Sequence, residues 1–411
     1  MPDPIDESTT GGPQGLTAAD VAELLGVKRQ TVYAYVSRGI LSRRLAMDGR
    51  TSVFDRSEVE ELRQGRGPER DGALRTMLTT RITRVADDGI WIRGHDLVTR
   101  VDGGARFTEI ADLVWDAGPD EMWPVLPAES PQPTGSDVGP LDRFRVLLAE
   151  TSAADPLRYD LSPRSVRAAG RRAIVAMATG LGSARPVDVV CDVDVPTTPS
   201  TALWRGLALG PASEARRQAL EVALALLVDH GLAASTFAAR IAASVRADPY
   251  SVIGAGLGAL GGPLHGSASV AVHDLYRSAE TDGDPARAVG DAIRRHGRPP
   301  GFGHSVYRVQ DPRYGALMTK IVGAWSDDDR LQTVFRVREV VGERSDAIPN
   351  VDLAIGALSY LADMPANAGE AIFAVARAAG WVAHAMEEYG ETPLRFRAKA
   401  RYLGPEPGSE S

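Results

Sequence analysis

The sequence is short of cysteine and of aromatic residues. Cys191 is the only cysteine among 411 residues, and aromatic residues make up 6% of the chain. One cysteine excludes a disulfide within the chain and predicts a protein of the reducing cytoplasm. No candidate base lies near Cys191 in the sequence, so we interpret it as an apolar residue and not as a nucleophile.

Long apolar runs and an excess of positive charge are missing as well. The start of the chain, Met1 to Glu7, is acidic and has no apolar stretch, which predicts neither a signal peptide nor a membrane span. The net charge of −8 disfavours a nucleic-acid surface over the whole chain and leaves a local one open. The length exceeds the usual limit of one hydrophobic core, so we expect about two or three domains.

The sequence also lacks a pattern of alternating strands and helices, and no Gly-x-Gly-x-x-Gly run follows a predicted strand. The body of the chain is therefore predicted to be all-α, preceded by a short β-hairpin over residues 80–85 and 90–93. Residues 64–72 have no apolar side chain, and we place a flexible linker over 64–75. The predicted helices of the body cover approximately residues 107–114, 142–153, 163–180, 213–230, 233–246, 249–260, 265–279, 285–295, 312–325, 329–343, 350–363 and 367–388.

A small module precedes the linker. Residues 1–15 are rich in Pro, Gly, Ser, Thr and Asp and are predicted to be disordered. Thr17 and Asp20 then form an acidic variant of the capping box, and an apolar helical stripe follows. Gly26 turns the chain into a second predicted helix over residues 29–37. Helix, glycine-containing turn and helix together predict a helix-turn-helix, whose second helix enters the DNA major groove.

The charge of this module is locally positive. Between Lys28 and Arg50 six residues are basic and one is acidic, and an Asp-Gly pair at 48–49 predicts the hairpin of a wing. Residues 16–63 resemble the small winged helix-turn-helix domains of the MerR and excisionase type. The positive charge favours DNA binding, and a module that binds protein instead is the alternative. The expected DNA contacts are Arg29, Gln30, Thr31, Tyr33, Arg43 and Arg44.

Several polar side chains stand at the ends of apolar helical segments in the body. Arginines with a histidine suit a small dicarboxylate, which they hold through bidentate charge-assisted hydrogen bonds. A desolvated carboxylate near a helix start suits a general base, and neutral imidazoles suit a developing enolate and an electrophilic carbonyl. The set indicates condensation of an enolisable thioester with a keto acid, without a metal. Its members are His230, His265, His304, Arg313, Asp352, Arg377 and Arg397.

The remaining histidines carry no such pattern. We interpret His95, His273 and His296 as surface residues and His384 as a helix residue behind Trp381.

The order of short motifs in residues 79–405 resembles the citrate synthase family. Gly-Gly-Pro-Leu-His-Gly occupies 261–266, and Pro-Gly-Phe-Gly-His-x-Val-Tyr-Arg-x-x-Asp-Pro-Arg occupies 300–313. Pro-Asn-Val-Asp follows at 349–352. Val-Asp-His and Ser-Thr-Phe-Ala-Ala-Arg, both within residues 228–240, are similar to the first substrate-histidine segment of that family.

The resemblance implies a role for each residue. Asp352 is expected to remove a proton from the methyl group of acetyl-CoA while His265 stabilises the enolate. His304 is expected to hydrogen-bond and protonate the oxaloacetate carbonyl, and hydrolysis in the same site then yields citrate and CoA. The expected ligands of the oxaloacetate carboxylates are His230, Arg313, Arg377 and Arg397, the last donated across the interface of a homodimer.

The resemblance also implies an architecture. A large helical domain is expected over residues 76–266 and 358–405, with a small domain over 267–357 that closes on the substrates, and a tail over 406–411. No permanently bound cofactor is implied, because acetyl-CoA acts as a co-substrate.

Three positions depart from the family pattern. Ala233 stands where many bacterial members have Asn, Ser305 where Arg is common, and Ala398 where Pro is frequent. Two alternatives therefore stay open. One is a 2-methylcitrate synthase that uses propionyl-CoA, and the other is a DNA-binding, metabolite-sensing regulator with an inactive synthase body.

Overall fold

The computed structural model describes residues 16–37, 41, 43–45, 51–63, 78–126, 138–182, 198–209, 213–262, 265–266 and 268–396. The chain divides into two units, residues 1–79 and residues 80–411. Several predicted features lie outside the described residues. These are the segments 1–15, 64–75 and 406–411, the Asp-Gly turn at 48–49, and the residues Cys191, Arg397 and Ala398.

Within its described residues, the first unit has three helices and a small antiparallel sheet with the strand order β1-β3-β2. Thr17 caps the first helix, and Asp20 accepts a hydrogen bond of 2.8 Å from the Thr17 amide, so the predicted capping box is confirmed. Gly26 ends that helix in the left-handed region, with φ of 64°. The elements are β1 Leu16–Thr17, α1 Ala18–Leu25, α2 Arg29–Ser37, β2 Arg44–Leu45, β3 Ser52–Phe54 and α3 Arg56–Arg63.

The core of the first unit fixes which face of α2 is free. Val32 of α2 is buried together with Val21, Phe54 and Val59. The opposite face of α2 is exposed, and Tyr33 keeps 46% of its surface accessible. Strands β2 and β3 pair antiparallel, as the predicted wing requires. The predicted winged helix-turn-helix is confirmed in these elements.

The second unit begins with an antiparallel sheet of order β4-β5-β6. The strands are β4 Thr83–Ala86, β5 Gly89–Ile92 and β6 His95–Asp96. The first two strands form the predicted hairpin, with Thr83 opposite Ile92. The third strand was not predicted, because two residues are too few to show an alternating pattern.

Fourteen helices follow within the described part of the second unit, which confirms the all-α prediction for the body. The prediction missed α4 and α8, which are six and nine residues long. The helices are α4 Leu97–Asp102, α5 Phe107–Trp115, α6 Pro140–Ala154, α7 Pro163–Thr179, α8 Pro199–Leu207, α9 Glu214–Leu227, α10 Ala234–Ser244, α11 Pro249–Leu260, α12 Ala268–Asp282, α13 Pro285–His296, α14 Pro312–Ala324, α15 Arg330–Gly342, α16 Val351–Leu361 and α17 Ala368–Tyr389.

Helix α17 is the central element of the second unit. It packs against α5, α7, α9, α10 and α11, and most of its 22 residues are buried. Small residues along α17 and α11 allow this close packing. A Cβ placed on Gly256 of α11 would lie 2.5 Å from the ring of Trp381, which is fully buried on α17. No helix among the described residues is long and apolar enough to cross a membrane.

This helix crossing predicts opposite effects for two Gly→Ala substitutions. Gly256→Ala should lower the free energy of unfolding, because overpacking costs about 1–3 kcal/mol and helix propensity returns at most about 1 kcal/mol. Gly290→Ala in α13 is the control, since nothing lies within 4 Å of its added Cβ. That variant should gain about 0.5–1 kcal/mol. Thermal unfolding of both variants tests the prediction, and equal stabilisation would contradict it.

Candidate active site

The predicted site residues stand at the ends or in the first turns of buried helices, with one exception. His230 follows the end of α9, His265 follows α11, and His304 lies in the loop before α14. Arg313 and Asp352 lie in the first turns of α14 and α16, whereas Arg377 lies in the middle of α17.

The His304 loop is held against the loop before α16. Phe302 forms a β-bridge with Pro349, and the Gly303 amide donates to the Ile348 carbonyl at 2.7 Å. The side chain of Asn350 donates to the Gly303 carbonyl at 2.8 Å. Gly301 has φ of 78°, and a Cβ there would meet Leu353 at 2.9 Å, so the close approach requires glycine. These contacts join the loop that carries His304 to the loop that leads into α16 and Asp352.

Hydrogen bonds fix the tautomer of His304. Its Nδ1 accepts from the backbone amides of Val306 at 3.0 Å and Tyr307 at 3.1 Å. A neutral imidazole that accepts at Nδ1 carries its proton on Nε2. Burial, together with the nearby Arg313 charge, lowers the pKa of His304. The ring therefore presents a neutral Nε2–H donor.

Tyr307 joins His304 to His230. The Tyr307 hydroxyl lies 3.2 Å from Nε2 of His230, and the rings of His230 and His304 are 5.2 Å apart. Burial raises the pKa of Tyr307 to about 12, which keeps its hydroxyl protonated. The pKa of His230 lies well below its ordinary value because of burial and the charges of Arg313 and Arg377. The cluster is therefore rich in neutral hydrogen-bonding groups.

Two buried arginines surround this cluster. Arg313 is 3% exposed and donates to both carboxylate oxygens of Asp311, at 3.0 and 2.8 Å. Asp311 also accepts from the Val351 amide at 3.0 Å, which ties Arg313 to the start of α16. Arg377 is 1% exposed, and burial lowers its pKa to about 10. Its Nε donates to the Leu227 carbonyl at 2.9 Å.

His265 lies on the other side of Arg377. Its Nε2 is 2.8 Å from the hydroxyl of Ser235, which leaves Nδ1 for a ligand. The ring of Phe373 neighbours both groups, with its centre 6.2 Å from the His265 ring and 4.5 Å from the Arg377 guanidinium carbon. Burial and the Arg377 charge lower the pKa of His265. This imidazole is therefore neutral at physiological pH.

Asp352 is the carboxylate of the site. Its side chain is only partly accessible, and burial raises its pKa to about 6, against the opposing effect of Arg313. Its amide is capped by Asn350 at 3.0 Å. Among the described residues, the Asp352 carboxylate forms no hydrogen bond with His265 or His304. It is therefore an uncommitted carboxylate within the charge field of Arg313 and Arg377.

The structure adds site residues that the sequence prediction missed. Ser235, Tyr307 and Asp311 contact predicted site residues, and the latter two belong to the motif at 300–313. The prediction for His273 was wrong. It is buried, and its Nδ1 lies 3.1 Å from the Ser359 hydroxyl, because its face of α12 packs against α16. His95 and His296 are exposed, as predicted.

Acidic side chains and histidines form no metal-binding cluster of three or more anywhere in the described ranges. The charged groups of the site are instead suited to an organic anion.

Comparison with known proteins agrees with this geometry. The family model for the citrate synthase C-terminal domain matches residues 136–399, more than half of the chain. A model of a helix-turn-helix domain matches residues 16–67. A citrate synthase of Haloferax volcanii is 38% identical over 196 residues, which cover 47% of this chain and 52% of the relative. The chain thus spans about half the length of that relative.

Two further proteins bear on family and fold. A 2-methylcitrate synthase of Mycobacterium tuberculosis is 30% identical over 291 residues, which cover 65% of this chain and 69% of the relative. The citrate synthase of the archaeon Thermoplasma acidophilum, solved as a ternary complex with carboxymethyl coenzyme A and oxaloacetate, has the same fold. It aligns with a TM-score of 0.57 and 23% identity over 80% of this chain and 94% of the other. The chain belongs to the citrate synthase family and carries a helix-turn-helix domain ahead of the region that matches this family.

Proposed function

We propose that this protein condenses acetyl-CoA with oxaloacetate and water to give citrate and CoA. The observation that carries the proposal is Asp352, an uncommitted carboxyl with its pKa raised to about 6, in the electrostatic field of the buried Arg313 and Arg377. A carboxyl with such a pKa is suited to remove a proton near neutral pH.

Oxaloacetate is held as a dianion. Arg313 and Arg377 supply buried positive charge, and His230 supplies a neutral hydrogen-bonding ring between them. Their charges repel each other, which the lowered pKa of Arg377 reflects in part. A dicarboxylate relieves this repulsion. Arg397 completes the carboxylate ligands in this proposal, across the interface of a homodimer.

Enolisation involves Asp352 and His265. Asp352 removes a proton from the methyl group of acetyl-CoA, and Nδ1–H of His265 hydrogen-bonds the developing enolate oxygen. The Ser235 hydroxyl supports this tautomer when it donates to Nε2, which it approaches to 2.8 Å. A neutral imidazole is the better partner here, because it donates to the enolate without transferring its proton.

Carbon–carbon bond formation involves His304. The enolate carbon attacks the ketone of oxaloacetate, and the ketone oxygen becomes an alkoxide. His304 Nε2–H hydrogen-bonds that oxygen and protonates it as the bond forms, since Nδ1 is already occupied by two backbone amides. Hydrolysis of the thioester product in the same site then releases citrate and CoA.

Each of the two proposed domains contributes three of the described site residues. His304, Arg313 and Asp352 belong to the small domain, 267–357, and His230, His265 and Arg377 belong to the large domain. The pairs α12–α13, α12–α16 and α13–α15 pack within the small domain, which supports a body that moves as one. Closure excludes water until the new bond has formed.

The acyl group distinguishes the two enzyme alternatives, because the relatives include both citrate and 2-methylcitrate synthases. We favour acetyl-CoA, with propionyl-CoA as the alternative. Release of free CoA thiol, measured with oxaloacetate and each acyl-CoA in turn, decides between them. No thiol release with either one, beside an active homologue in the same assay, would refute both.

Asp352→Asn should remove turnover without harming the fold. We expect a loss of about 10²–10⁴-fold in thiol release, the usual contribution of a positioned general base. The melting temperature should be unchanged or higher, because a raised carboxyl pKa means that the ionised form is destabilising at neutral pH. Asp327→Asn, at an exposed position, is the matched control and should retain activity.

The raised pKa also predicts the acid limb of the pH profile. kcat/KM should fall about tenfold per pH unit below a midpoint near 6, because the base becomes protonated there. An aspartate with an ordinary pKa would place the midpoint at about 4. A midpoint of that value, measured by initial rates with both substrates below saturation, would contradict the assignment of Asp352.

DNA binding is a second candidate function, supported by the exposed face of α2. Arg29, Gln30 and Tyr33 are exposed there, Thr31 is half-buried beside them, and Arg43 and Arg44 are exposed at the adjacent wing. A homodimer would present two such helices to two half-sites. The exposed apolar side chains of Ile241 on α10 and of Val245 directly after it support a homodimer. The single cysteine supports a cytoplasmic location.

Arg29→Ala should weaken binding to a short mixed-sequence DNA duplex and reduce the salt dependence by about one counterion. The control is Arg294→Ala, an exposed arginine on α13. Fluorescence anisotropy at several salt concentrations, with and without oxaloacetate, gives the measurement. If the full chain does not bind DNA even at low salt, the DNA-binding function and the regulator alternative are both excluded.

A further inference from the structure

Three residues on one face of α17 hold the segment that leads to His230. Nε of Arg377 donates to the Leu227 carbonyl at 2.9 Å, and the Gly380 amide donates to the Val228 carbonyl at 3.0 Å. Nε2 of His384 lies 3.4 Å from the Asp229 carboxylate. Positions 377, 380 and 384 face the same side because an α-helix has 3.6 residues per turn. Successive turns of α17 therefore bind three successive residues, immediately before the substrate histidine.

Close packing between α17 and this segment leaves no room for a larger residue at position 380. A Cβ on Gly380 would overlap the Val228 carbonyl oxygen and lie 2.6 Å from Oδ1 of Asp229. Asp229 also accepts from the Gly231 amide at 3.1 Å, so its carboxylate fixes the backbone on the far side of His230. The orientation of His230 is thus set from both sides by the position of Asp229.

The protonation of His384 follows from its other neighbour. Nη1 of Arg240 lies 3.0 Å from Nδ1 of His384, and a guanidinium can only donate. Nδ1 therefore accepts, and the proton of the neutral ring is on Nε2, where it points to Asp229. Asp229 and His384 are both 0% exposed. Burial raises the pKa of Asp229, but its interactions with His384 and then with Arg377 hold that pKa below its ordinary value.

Further ion pairs link Arg240 to Arg395, which precedes Arg397 in the sequence. Arg240 is paired with Glu387 at 2.8 Å and with the buried Glu388 at 3.1 Å. Glu388 accepts from Nε and Nη2 of Arg395 at 2.7 and 2.6 Å. Arg395 lies two residues before Arg397 in the sequence. One continuous set of hydrogen bonds and ion pairs thus connects the His230 segment with Arg395.

We propose that Asp229, His384, Arg240 and Glu388 form a positioning network that orients the large-domain ligands of the keto acid. None of the four is a catalytic residue, since each acts through a neighbour. The network fixes His230 through Asp229, Arg377 through the Leu227–Asp229 segment, and the chain next to Arg395 through Glu388. Buried charges are costly to remove from water, and breaking one pair leaves its partner unpaired. The inference rests on the proposed function, because it concerns the same site.

The test separates binding of the keto acid from the rest of catalysis. His384→Ala should raise KM for oxaloacetate about 10–100-fold, as misplaced ligands do. KM for acetyl-CoA should change by less than about threefold, because His265 and Asp352 do not contact the network. His384→Gln should restore most of the affinity, since an amide oxygen accepts from Arg240 and an amide N–H donates to Asp229. Equal effects on both KM values, or no rescue by Gln, would overturn the proposal.

Two further measurements keep the test decisive. Arg395→Ala removes one of the two arginine partners of Glu388, the one at the accessible edge of the network. This variant is therefore expected to fold even if His384→Ala does not. It should raise KM for oxaloacetate in the same direction, and an unchanged KM would count against the network. The rise in melting temperature caused by oxaloacetate alone should shrink in both variants. If the wild type shows this rise without thiol release, the proposed reaction fails, and the network is still tested by binding.

Discussion

The burial of positive charge without a full set of counterions is the constraint on which this site depends. Arg377 lies in the middle of the longest helix, and Arg313 lies at the start of α14, both almost inaccessible to solvent. Asp311 neutralises Arg313, whereas Arg377 donates to a backbone carbonyl and has the charges of Asp229 and Asp352 near it, without an ion pair among the described residues. A buried charge without an ion-pair partner is costly, and a bound anion would supply that partner for Arg377. The site is thus built for an anion before any reaction is considered.

The same positive field determines the state of the histidines. Burial and the arginines lower the pKa values of His230, His265 and His304 together, so three imidazoles remain neutral beside a carboxyl that ionises only near pH 6. The environments of these groups, and not their residue types alone, therefore set which of them are charged at neutral pH. The backbone amides that bind His304 and the hydroxyl that approaches His265 leave one ring nitrogen of each directed to a ligand.

Much of this arrangement was predictable from local sequence signals. Asp-Pro pairs at 248–249, 284–285 and 311–312 place an N-cap and a proline at three helix starts, and the observed helices begin there. The short elements β6 and α4 were missed, because so few residues carry no measurable period. The partners of the proposed catalytic side chains were missed for a different reason. Ser235 is 30 residues from His265, and Tyr307 is 77 residues from His230, so only the tertiary fold brings them together. His384 looked like an ordinary helix residue for the same reason.

The contact between Gly256 and Trp381 sets the dimensions of the site. Helix α11 ends just before His265, and α17 carries Arg377 four residues before Trp381. Because the two helices already touch at a glycine, they cannot come closer, and the fully buried indole leaves no space through which they might slide. In the proposed reaction His265 binds the enolate and Arg377 binds a carboxylate. Gly256 would then set the closest approach of the two helices that place these groups.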